Sequence, residues 1–446
     1  MKRYEAYDSF LDIWVDEIPS HWETHKMKYL FHERSEKGYP DEPLLVASQN
    51  MGVVPKNVYG NRTVEAQKDL HLLKLVRVGD FVISLRSFQG GLEYAYYQGI
   101  ISPAYTVLTP HEPITAGYFR YLAKSKLFIG LLTLCVTGIR EGQNIDYEKL
   151  RNHLLPVPPR EEQDQIVRYL DWQVSKINRL IAAKRKQIAL LEATTANYLE
   201  TIIHKGTRNE HLAETGNPWI NTAPISWKKV RHKNVLTEKK EVVGENHIQY
   251  TLLSLTTKGI IIRDTSSGKG KYPSDFSTYQ VVNPSDMVFC LFDVDETPRT
   301  VGLSTHTGMI TGAYTVYETH DVLPEYLLFY FTSIDNKKGF KPLYSGLRKV
   351  IGKDIFSRQS IYLPSPEEQQ EIVNAIKAQQ EKNYNVINLL EREIEALQEL
   401  RTRLISDVVT GQVDVRGIEV PEFEYVSEAD VTGEQDEEET EGEVDG

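Results

Sequence analysis

The amino-acid sequence contains two copies of one ordered set of short motifs, and this repeat is its most constraining feature. Pro19-Ser20-His21-Trp22 returns as Pro224-Ile225-Ser226-Trp227, and Leu155-Pro156-Val157-Pro158 returns as Leu363-Pro364-Ser365-Pro366. Three further pairs keep the same order: 99–107 with 308–316, Gly138-Ile139-Arg140 with Gly346-Leu347-Arg348, and Glu161-Glu162-Gln163 with Glu367-Glu368-Gln369. All offsets lie between 205 and 209 residues. Since two such periods nearly fill the 446-residue chain, the sequence predicts two similar modules.

The first part of each copy, 1–155 and 207–363, has the pattern of a globular α+β domain. Short apolar runs at 81–84 and 288–291 predict buried strands, and 118–124 and 326–332 predict short helices. The loops at 86–91 and 267–272 have no counterpart in the other copy. A shared scaffold with divergent loops is typical of two binding sites with different specificities.

The second part of each copy, 156–206 and 364–411, predicts a long helix. Apolar residues recur at steps of three and four, from Ile166 to Ile202 and from Ile372 to Val408, which is the pattern of a coiled coil. About 44 residues at roughly 1.5 Å each would span roughly 66 Å. Each helix could instead pack on its own domain or pair with another chain, but two similar helices in one chain favour an antiparallel intramolecular pair. The polar seam residues Lys184 and Asn383 would then set the register.

The predicted fold class is therefore α+β, with two tandem globular domains joined by two long antiparallel coiled-coil helices. An antiparallel pair of two equivalent copies would also create a pseudo-two-fold axis, so two copies of one partner could bind equivalent surfaces.

The net charge of −12 is concentrated at one end of the sequence. Residues 422–446 carry twelve acidic residues and no Lys or Arg, so residues 1–421 are formally neutral. We expect 412–446 to be an acidic, disordered tail, and the charge of the body does not exclude a nucleic-acid partner. With no apolar run of membrane-spanning length and only two cysteines, a reducing cytoplasm is the expected location.

A search for catalytic motifs finds none. The sequence contains no Gly-x-x-x-x-Gly-Lys-Ser/Thr, no Gly-x-Gly-x-x-Gly after a strand, no Asn/Asp-Pro-Pro-Tyr/Phe and no zinc-ligand spacing. Glu238-Lys239-Lys240 resembles half of a metal-nuclease motif, and we interpret it as a solvated charge run. Duplicated modules without catalytic motifs predict a binding function, with no catalytic residues, no metal and no cofactor in this chain.

Two recognition modules on paired helices could read two separated segments of one DNA duplex. Base edges are read by Arg, Lys, Gln and Asn side chains, whereas positively charged groups also hold phosphates. The candidate DNA-binding residues are Arg86, Ser87, Gln89, Arg140, Lys269, Lys271, Tyr272, Arg299 and Arg348. Arg140 and Arg348 recur in register, so they suit phosphate contacts that both modules would need, although a shared structural hydrogen bond would recur in the same way.

The duplicated motifs resemble those of the specificity subunit of type I restriction–modification systems, over residues 1 to about 416. The resemblance rests on the Pro-x-x-Trp opening, the Ala-Tyr-Thr-Val strand, the Gly-x-Arg segment, and the Leu-Pro-x-Pro and Glu-Glu-Gln junction before each long helix. It implies two target recognition domains that each read half of a bipartite DNA site, and an antiparallel helical spacer between them. The acidic tail is outside the family pattern.

The resemblance also implies partners. Two modification subunits would dock on the helices and carry S-adenosylmethionine, and restriction subunits would add ATP- and Mg-dependent translocation and cleavage. Candidate docking residues lie at the two helix starts: Glu161, Glu162, Gln163, Glu367, Glu368 and Gln369. Two alternatives stay open, a coiled-coil scaffold that does not bind DNA and a modification enzyme with a degenerate active site.

Overall fold

A computed structural model describes residues 2–59, 69–84, 87–137, 144–217, 220–263, 276–344 and 349–427. This part of the chain divides into two units. Unit 1 contains residues up to 187 together with the chain from 389 onward, and unit 2 contains residues 188–388. Each unit therefore holds one repeated module, the first half of one long helix and the second half of the other.

The module of unit 1 is built from short strands and short helices. Its strands are β1 (Tyr7–Ser9), β2 (Glu17–Pro19), β3 (Glu23–Lys26), β4 (Phe31–Arg34), β5 (Leu45–Ser48), β6 (Gly52–Pro55), β7 (Lys74–Val76), β8 (Phe81–Ile83), β9 (Glu93–Tyr94), β10 (Gly99–Ile101), β11 (Thr106–Pro110), β12 (Val136–Thr137), β13 (Asn144–Ile145) and β14 (Leu154–Val157). Its helices are α1 (Lys56–Tyr59), α2 (Ser87–Gly90), α3 (Ala116–Leu122), α4 (Lys126–Leu134) and α5 (Tyr147–Leu150).

A four-stranded antiparallel sheet in the order β4-β11-β8-β9 forms the centre of this module. One face packs against α3 and α4 through a cluster of aromatic rings, with Phe119 lying 4.5 Å from Phe31 and 4.8 Å from Phe81 between ring centroids. Thr115 and Ser125 begin these two helices by accepting backbone N–H bonds in their first turns. Strand β14 then pairs with β3, which brings the end of the module back to its start.

The module of unit 2 repeats this plan. Its strands are β15 (Leu212–Glu214), β16 (Thr222–Pro224), β17 (Lys228–Arg231), β18 (Leu236–Lys239), β19 (Leu253–Thr256), β20 (Gly259–Ile262), β21 (Gln280–Val282), β22 (Met287–Phe289), β23 (Val301–Leu303), β24 (Gly308–Ile310), β25 (Thr315–Thr319) and β26 (Ser360–Leu363), and its short helices are α7 (Pro324–Asp335) and α8 (Lys353–Arg358).

The central sheet of unit 2 has the equivalent order β18-β25-β22-β23, and β26 pairs with β17 as β14 pairs with β3. Gly99 and Gly308 occupy equivalent positions in the two modules, and the same steric reason requires glycine at both. A side chain at either position would overlap a backbone carbonyl oxygen, that of Pro43 or of Thr251. The motif repeat therefore corresponds to a repeated fold, and the predicted α+β class is confirmed.

The two long helices are α6 (Arg160–Lys205) and α9 (Pro366–Val409). In unit 1, Lys184 Nζ lies 2.5 Å from Glu393 Oε2, and Arg401 donates to Asn178 Oδ1 at 2.8 Å. The residue number rises along α6 as it falls along α9, so the pair is antiparallel. In unit 2 the buried Asn383 donates to Thr195 Oγ1 at 2.7 Å. The polar seam residues Lys184 and Asn383 are thus bonded across the pair, as the predicted register role requires.

The chain after α9 differs from the expected disordered tail. Val415 is fully buried, the Asp414 N–H donates to the Lys2 carbonyl at 2.9 Å, and residues 416–427 lie along α6. The expectation of disorder is wrong for 412–427 because this stretch carries apolar residues, among them Val413 and Val415, that can be buried. The acid-rich residues 428–446 lie outside the described chain.

Within the described ranges, no helix is long and apolar enough to cross a membrane. The same ranges contain no group of three or more His, Cys, Asp or Glu side chains placed to hold a metal ion.

Candidate nucleic-acid interface and helix junctions

In each unit, a buried carboxylate joins the opening motif of the module to the start of a long helix. Glu162 accepts hydrogen bonds from Trp22 Nε1 at 3.1 Å and from the Tyr4 hydroxyl, and its other oxygen lies 2.7 Å from His21 Nε2. In unit 2, Glu368 accepts from Trp227 Nε1 at 3.3 Å. The Pro-x-x-Trp and Glu-Glu-Gln motifs are therefore two sides of one repeated contact.

The glutamine of the same motif holds a second element of the module. Gln163 Oε1 accepts the Thr115 N–H at 2.9 Å just before α3, and its Nε2 donates to Pro158 O at 2.9 Å. Gln369 makes the matching bonds to the Leu323 N–H at 2.9 Å and to Pro364 O at 3.0 Å. A side-chain amide can satisfy an N–H and a C=O together, which explains the recurrence of glutamine here.

Because of these contacts, the predicted docking role is wrong for four of the six candidates. Glu162, Gln163, Glu368 and Gln369 are buried and bonded inside their own units, so their side chains are not available to a partner. Glu161 and Glu367 are exposed in the first turn of α6 and α9. Bonds from its own backbone N–H and from Ser365 lower the pKa of Glu367, so this carboxylate is charged at the positive end of the helix.

The C-terminal glycine of one long helix meets the module held by the start of the other. Gly411, at φ +76°, lies against Pro19 and Trp22, and Gly206, at φ +71°, lies against Trp227 and Glu368. A methyl group at Gly411 would overlap Pro19, and one at Gly206 would overlap the Glu368 carboxylate. Each opening tryptophan is therefore packed between the start of one helix and the end of the other.

A buried ion pair also recurs in both sheets. Arg34 Nε lies 2.9 Å from Asp80 Oδ2 in unit 1, and Lys239 Nζ lies 3.0 Å from Asp286 Oδ2 in unit 2. Both aspartates also accept a backbone N–H from the turn that precedes them. The interpretation of Glu238-Lys239-Lys240 as a solvated charge run is thus wrong for Lys239, whose side chain is only 9% exposed because its charge is paired inside the module.

Most DNA-binding candidates lie outside the part of the chain that the structure describes. Outside the described residues lie Arg86, Arg140, Lys269, Lys271, Tyr272 and Arg348. Ser87, at the start of α2, is fully buried, and its hydroxyl accepts the Ser84 N–H at 2.8 Å. It has no surface for a base, so we correct its assignment from DNA contact to loop anchor.

Gln89 is exposed on α2, beside the tip of the β5–β6 hairpin. The link between them is Lys124, whose Nζ donates to the Gln49 carbonyl at 3.0 Å and to the Gly90 carbonyl at 2.9 Å. Lys124 is itself held by the buried Glu93 at 2.8 Å. Gln49 and Asn50 at the hairpin tip are exposed. These two residues are not among the candidates predicted from sequence, although a Gln-Asn pair between two β-forming runs is a detectable turn signal.

In unit 2, Arg299 is part of a structural ion pair. Its Nη1 lies 3.3 Å from Asp335 Oδ2 and 2.9 Å from Asn336 Oδ1, at the end of α7. Since Asp335 is buried and needs a positive partner, we reassign Arg299 from DNA contact to the packing of α7. At the tip of the β19–β20 hairpin, the counterpart of the Gln49 hairpin, Lys258 is exposed.

Comparisons with known proteins agree with the resemblance seen in the sequence. The chain is 22% identical over 440 residues to the type I restriction enzyme MjaX specificity subunit of Methanocaldococcus jannaschii, covering 92% of this chain and 97% of that protein. No protein-family model matches the sequence.

Among solved structures, the fold matches a chain from a study of complex assembly and conformational transition of the type I R-M system. The TM-score is 0.63 at 14% identity, over 89% of this chain and 99% of that one. The HsdS subunit from Thermoanaerobacter tengcongensis aligns at 16% identity over 89% and 98% of the two chains, with a TM-score of 0.45 that is too low to define a shared fold. The chain is therefore similar along nearly its whole sequence to a type I specificity subunit, and it shares the fold of a chain from a type I R-M system.

Proposed function

We propose that this chain is the non-catalytic DNA-specificity subunit of a type I restriction–modification enzyme, and that each module reads one half of a bipartite site. The observation that carries the proposal is the repeated junction in which Trp22 and Trp227 are bonded to Glu162 and Glu368 at the helix starts. It attaches two modules of one fold to the helix pair by the same contacts, while their hairpin tips and loops differ in chemistry. This combination suits two readers of different sequences.

The proposed reading surface of the first module is the group of amide side chains at the β5–β6 tip and α2. Gln49, Asn50 and Gln89 are exposed there, and amide side chains pair with adenine in the major groove. In the second module, Lys258 at the equivalent tip suits guanine or a phosphate. Six further residues, which lie outside the described chain, remain proposed contacts: Arg86, Arg140, Lys269, Lys271, Tyr272 and Arg348.

The partners in this proposal are double-stranded DNA, two modification subunits and restriction subunits. S-adenosylmethionine, ATP and Mg would be bound by those partners rather than by this chain. The exposed carboxylates Glu161 and Glu367 are equivalent in the repeat, so we propose them as matching contacts for two copies of one subunit. The domains 1–155 and 207–363 remain the proposed target recognition domains.

The test is the mapping of methylated adenines in a host that expresses the partner subunits, with this gene intact and deleted. A bipartite motif that disappears on deletion is expected. An unchanged methylome would favour the scaffold that does not bind DNA. An assembled complex that shows no salt-sensitive binding to DNA would favour the same alternative.

Two matched variants assign the half-sites. The double variant Gln49→Ala with Asn50→Ala removes the amides of the first tip, and Lys258→Ala removes the charge of the second. Loss of one base-specific contact costs about 1–3 kcal/mol of discrimination, so each variant should relax a different half of the motif. A variant that relaxes both halves equally would contradict reading by separate modules.

A further inference from the structure

The chain that follows α9 has two parts with different attachments. Residues 412–415 are anchored in unit 1, with Val415 buried and Gln412 Nε2 donating to the Glu17 carbonyl at 3.1 Å. The next residues, 417–427, are all exposed or half-buried, and we refer to them as the strap. Segments with few buried apolar contacts have low local stability, so the strap can open while its anchor stays in place.

The strap is held on α6 by polar side chains that bind its backbone. Gln165 Nε2 donates to the Ile418 carbonyl at 2.7 Å, and Arg179 Nη2 donates to the Glu424 carbonyl at 2.8 Å. Near the end of the strap, the Val426 N–H donates to Ser175 Oγ at 3.0 Å and the Val426 carbonyl accepts from Asn178 Nδ2 at 2.9 Å.

Ser175 and Asn178 form a built site for one extended residue. Both are almost fully buried, at 1% and 0% exposed, and together they satisfy both backbone groups of Val426. Arg401 from α9 donates to Asn178 Oδ1 at 2.8 Å, which orients the amide so that its Nδ2 faces the strap. The site therefore depends on small polar residues at two positions of α6.

Helix α9 carries different residues at the positions that correspond to Ser175 and Asn178. The offset of 206 residues places Glu381 and Tyr384 where α6 has Ser175 and Asn178. Both are exposed, with Tyr384 at 64%. Their larger side chains cannot reproduce the clamp on a backbone residue, so the strap is specific to α6. The repeat makes the two helix starts alike, but the strap and its site make the adjoining faces unlike.

We propose that the strap is a removable cover on α6 that makes the two modification-subunit sites unequal. This inference rests on the proposed function. A subunit that uses the α9 face finds exposed residues there, whereas a subunit that uses the matching α6 face must first displace the strap. Its apparent affinity is then reduced by the fraction of time that α6 is uncovered. The first modification subunit binds at α9 and the second at α6.

The experiment uses the full-length chain with purified modification subunit, and stepwise binding is measured by native mass spectrometry and calorimetry. The full-length chain should bind two subunits in unequal steps. Ending the chain after Arg416 removes the strap and should strengthen the weaker step by at least about tenfold. Ending it after Ser427 is the matched control, since it removes the acidic residues 428–446 and keeps the strap, and it should leave the weaker step unchanged.

A disulfide provides the converse test. Ser175→Cys with Val426→Cys should lock the strap on α6 when oxidised, because these residues are already in contact. The oxidised protein should bind one modification subunit and the reduced protein two. The proposal would be overturned if the full-length chain bound two modification subunits in equal steps. It would also be overturned if removal of the strap left the weaker binding step unchanged or weakened it further. Either result would leave the proposed function standing. Failure of every variant to bind any modification subunit would overturn both.

Discussion

The buried histidine of unit 2 makes the stability of that unit depend on pH. His232 is fully buried, and its ring centroid lies 4.8 Å from that of Phe356 and 5.2 Å from that of Phe331. Burial lowers the pKa of His232 from an ordinary 6.5 to about 3. The equivalent position of unit 1 is Met27, which is also fully buried and cannot titrate. The repeat therefore supplies its own control substitution, His232→Met.

The sign and size of the effect follow from proton linkage. Between pH 6.5 and about 3 the unfolded form of unit 2 binds a proton at His232 and the folded form does not, so acid favours unfolding. The contribution to stability is complete above pH 6.5 and is lost as the pH falls below it. At pH 5.0, which is about 1.5 units lower, the loss is about 2 kcal/mol, or about 30-fold in the opening equilibrium.

Hydrogen–deuterium exchange measures this opening separately in each unit. After correction for the intrinsic exchange rate, amides of α7 and β18 should exchange about 30-fold faster at pH 5.0 than at pH 7.5. His232→Met should remove most of that change. His204, whose pKa burial also lowers, titrates alike in both proteins and so cancels in their difference. Equal pH dependence in the variant and the parent protein would refute the reasoning.

Three further predictions concern packing and spacing. Asp80→Asn should destabilise unit 1 and Asp286→Asn unit 2, each by about 1–3 kcal/mol, because Arg34 and Lys239 lose a buried carboxylate and keep the exposed carboxylates of Glu36 and Glu241. Denaturant unfolding with exchange readout checks this, and an unchanged stability would contradict it. Gly411→Ala should lower the melting temperature, because alanine in the left-handed backbone conformation of Gly411 costs about 1–2 kcal/mol and its methyl group would overlap Pro19. An unchanged melting temperature would count against that packing. A four-residue insertion in α6 should change the unread gap of the methylated motif or abolish methylation, and an unchanged gap would refute the role of the helices as a spacer.

The repeat and the long helices could be predicted because their signals are local or periodic. The predicted helices at 156–206 and 364–411 correspond to observed helices at Arg160–Lys205 and Pro366–Val409. Coiled-coil periodicity reports which side of a helix is buried without knowledge of the partner. The recurrence of Glu-Glu-Gln was also visible in the sequence, but its structural role could not be predicted. A carboxylate at a helix start can bind a partner protein as well as it can accept a hydrogen bond from a buried tryptophan.

Candidate contacts in the loops were harder to predict. Ser87, Arg299 and Lys239 have the residue types of binding groups, yet each is bonded inside its module. Gln49 was overlooked because its position beside α2 depends on Lys124, a residue 75 positions away in the sequence. Residue type alone does not report burial or the presence of a partner charge.

The sequence by itself determined the two-fold repeat, the α+β class, the paired long helices and the absence of known catalytic motifs. Only the tertiary structure decided which repeated residues are internal, since Glu162 and Trp22 are 140 residues apart and meet only when the module closes on α6. It also decided that residues 417–427 are attached to α6. The physical reason is that both outcomes depend on polar partners distant in sequence, and a local pattern contains no information about such partners.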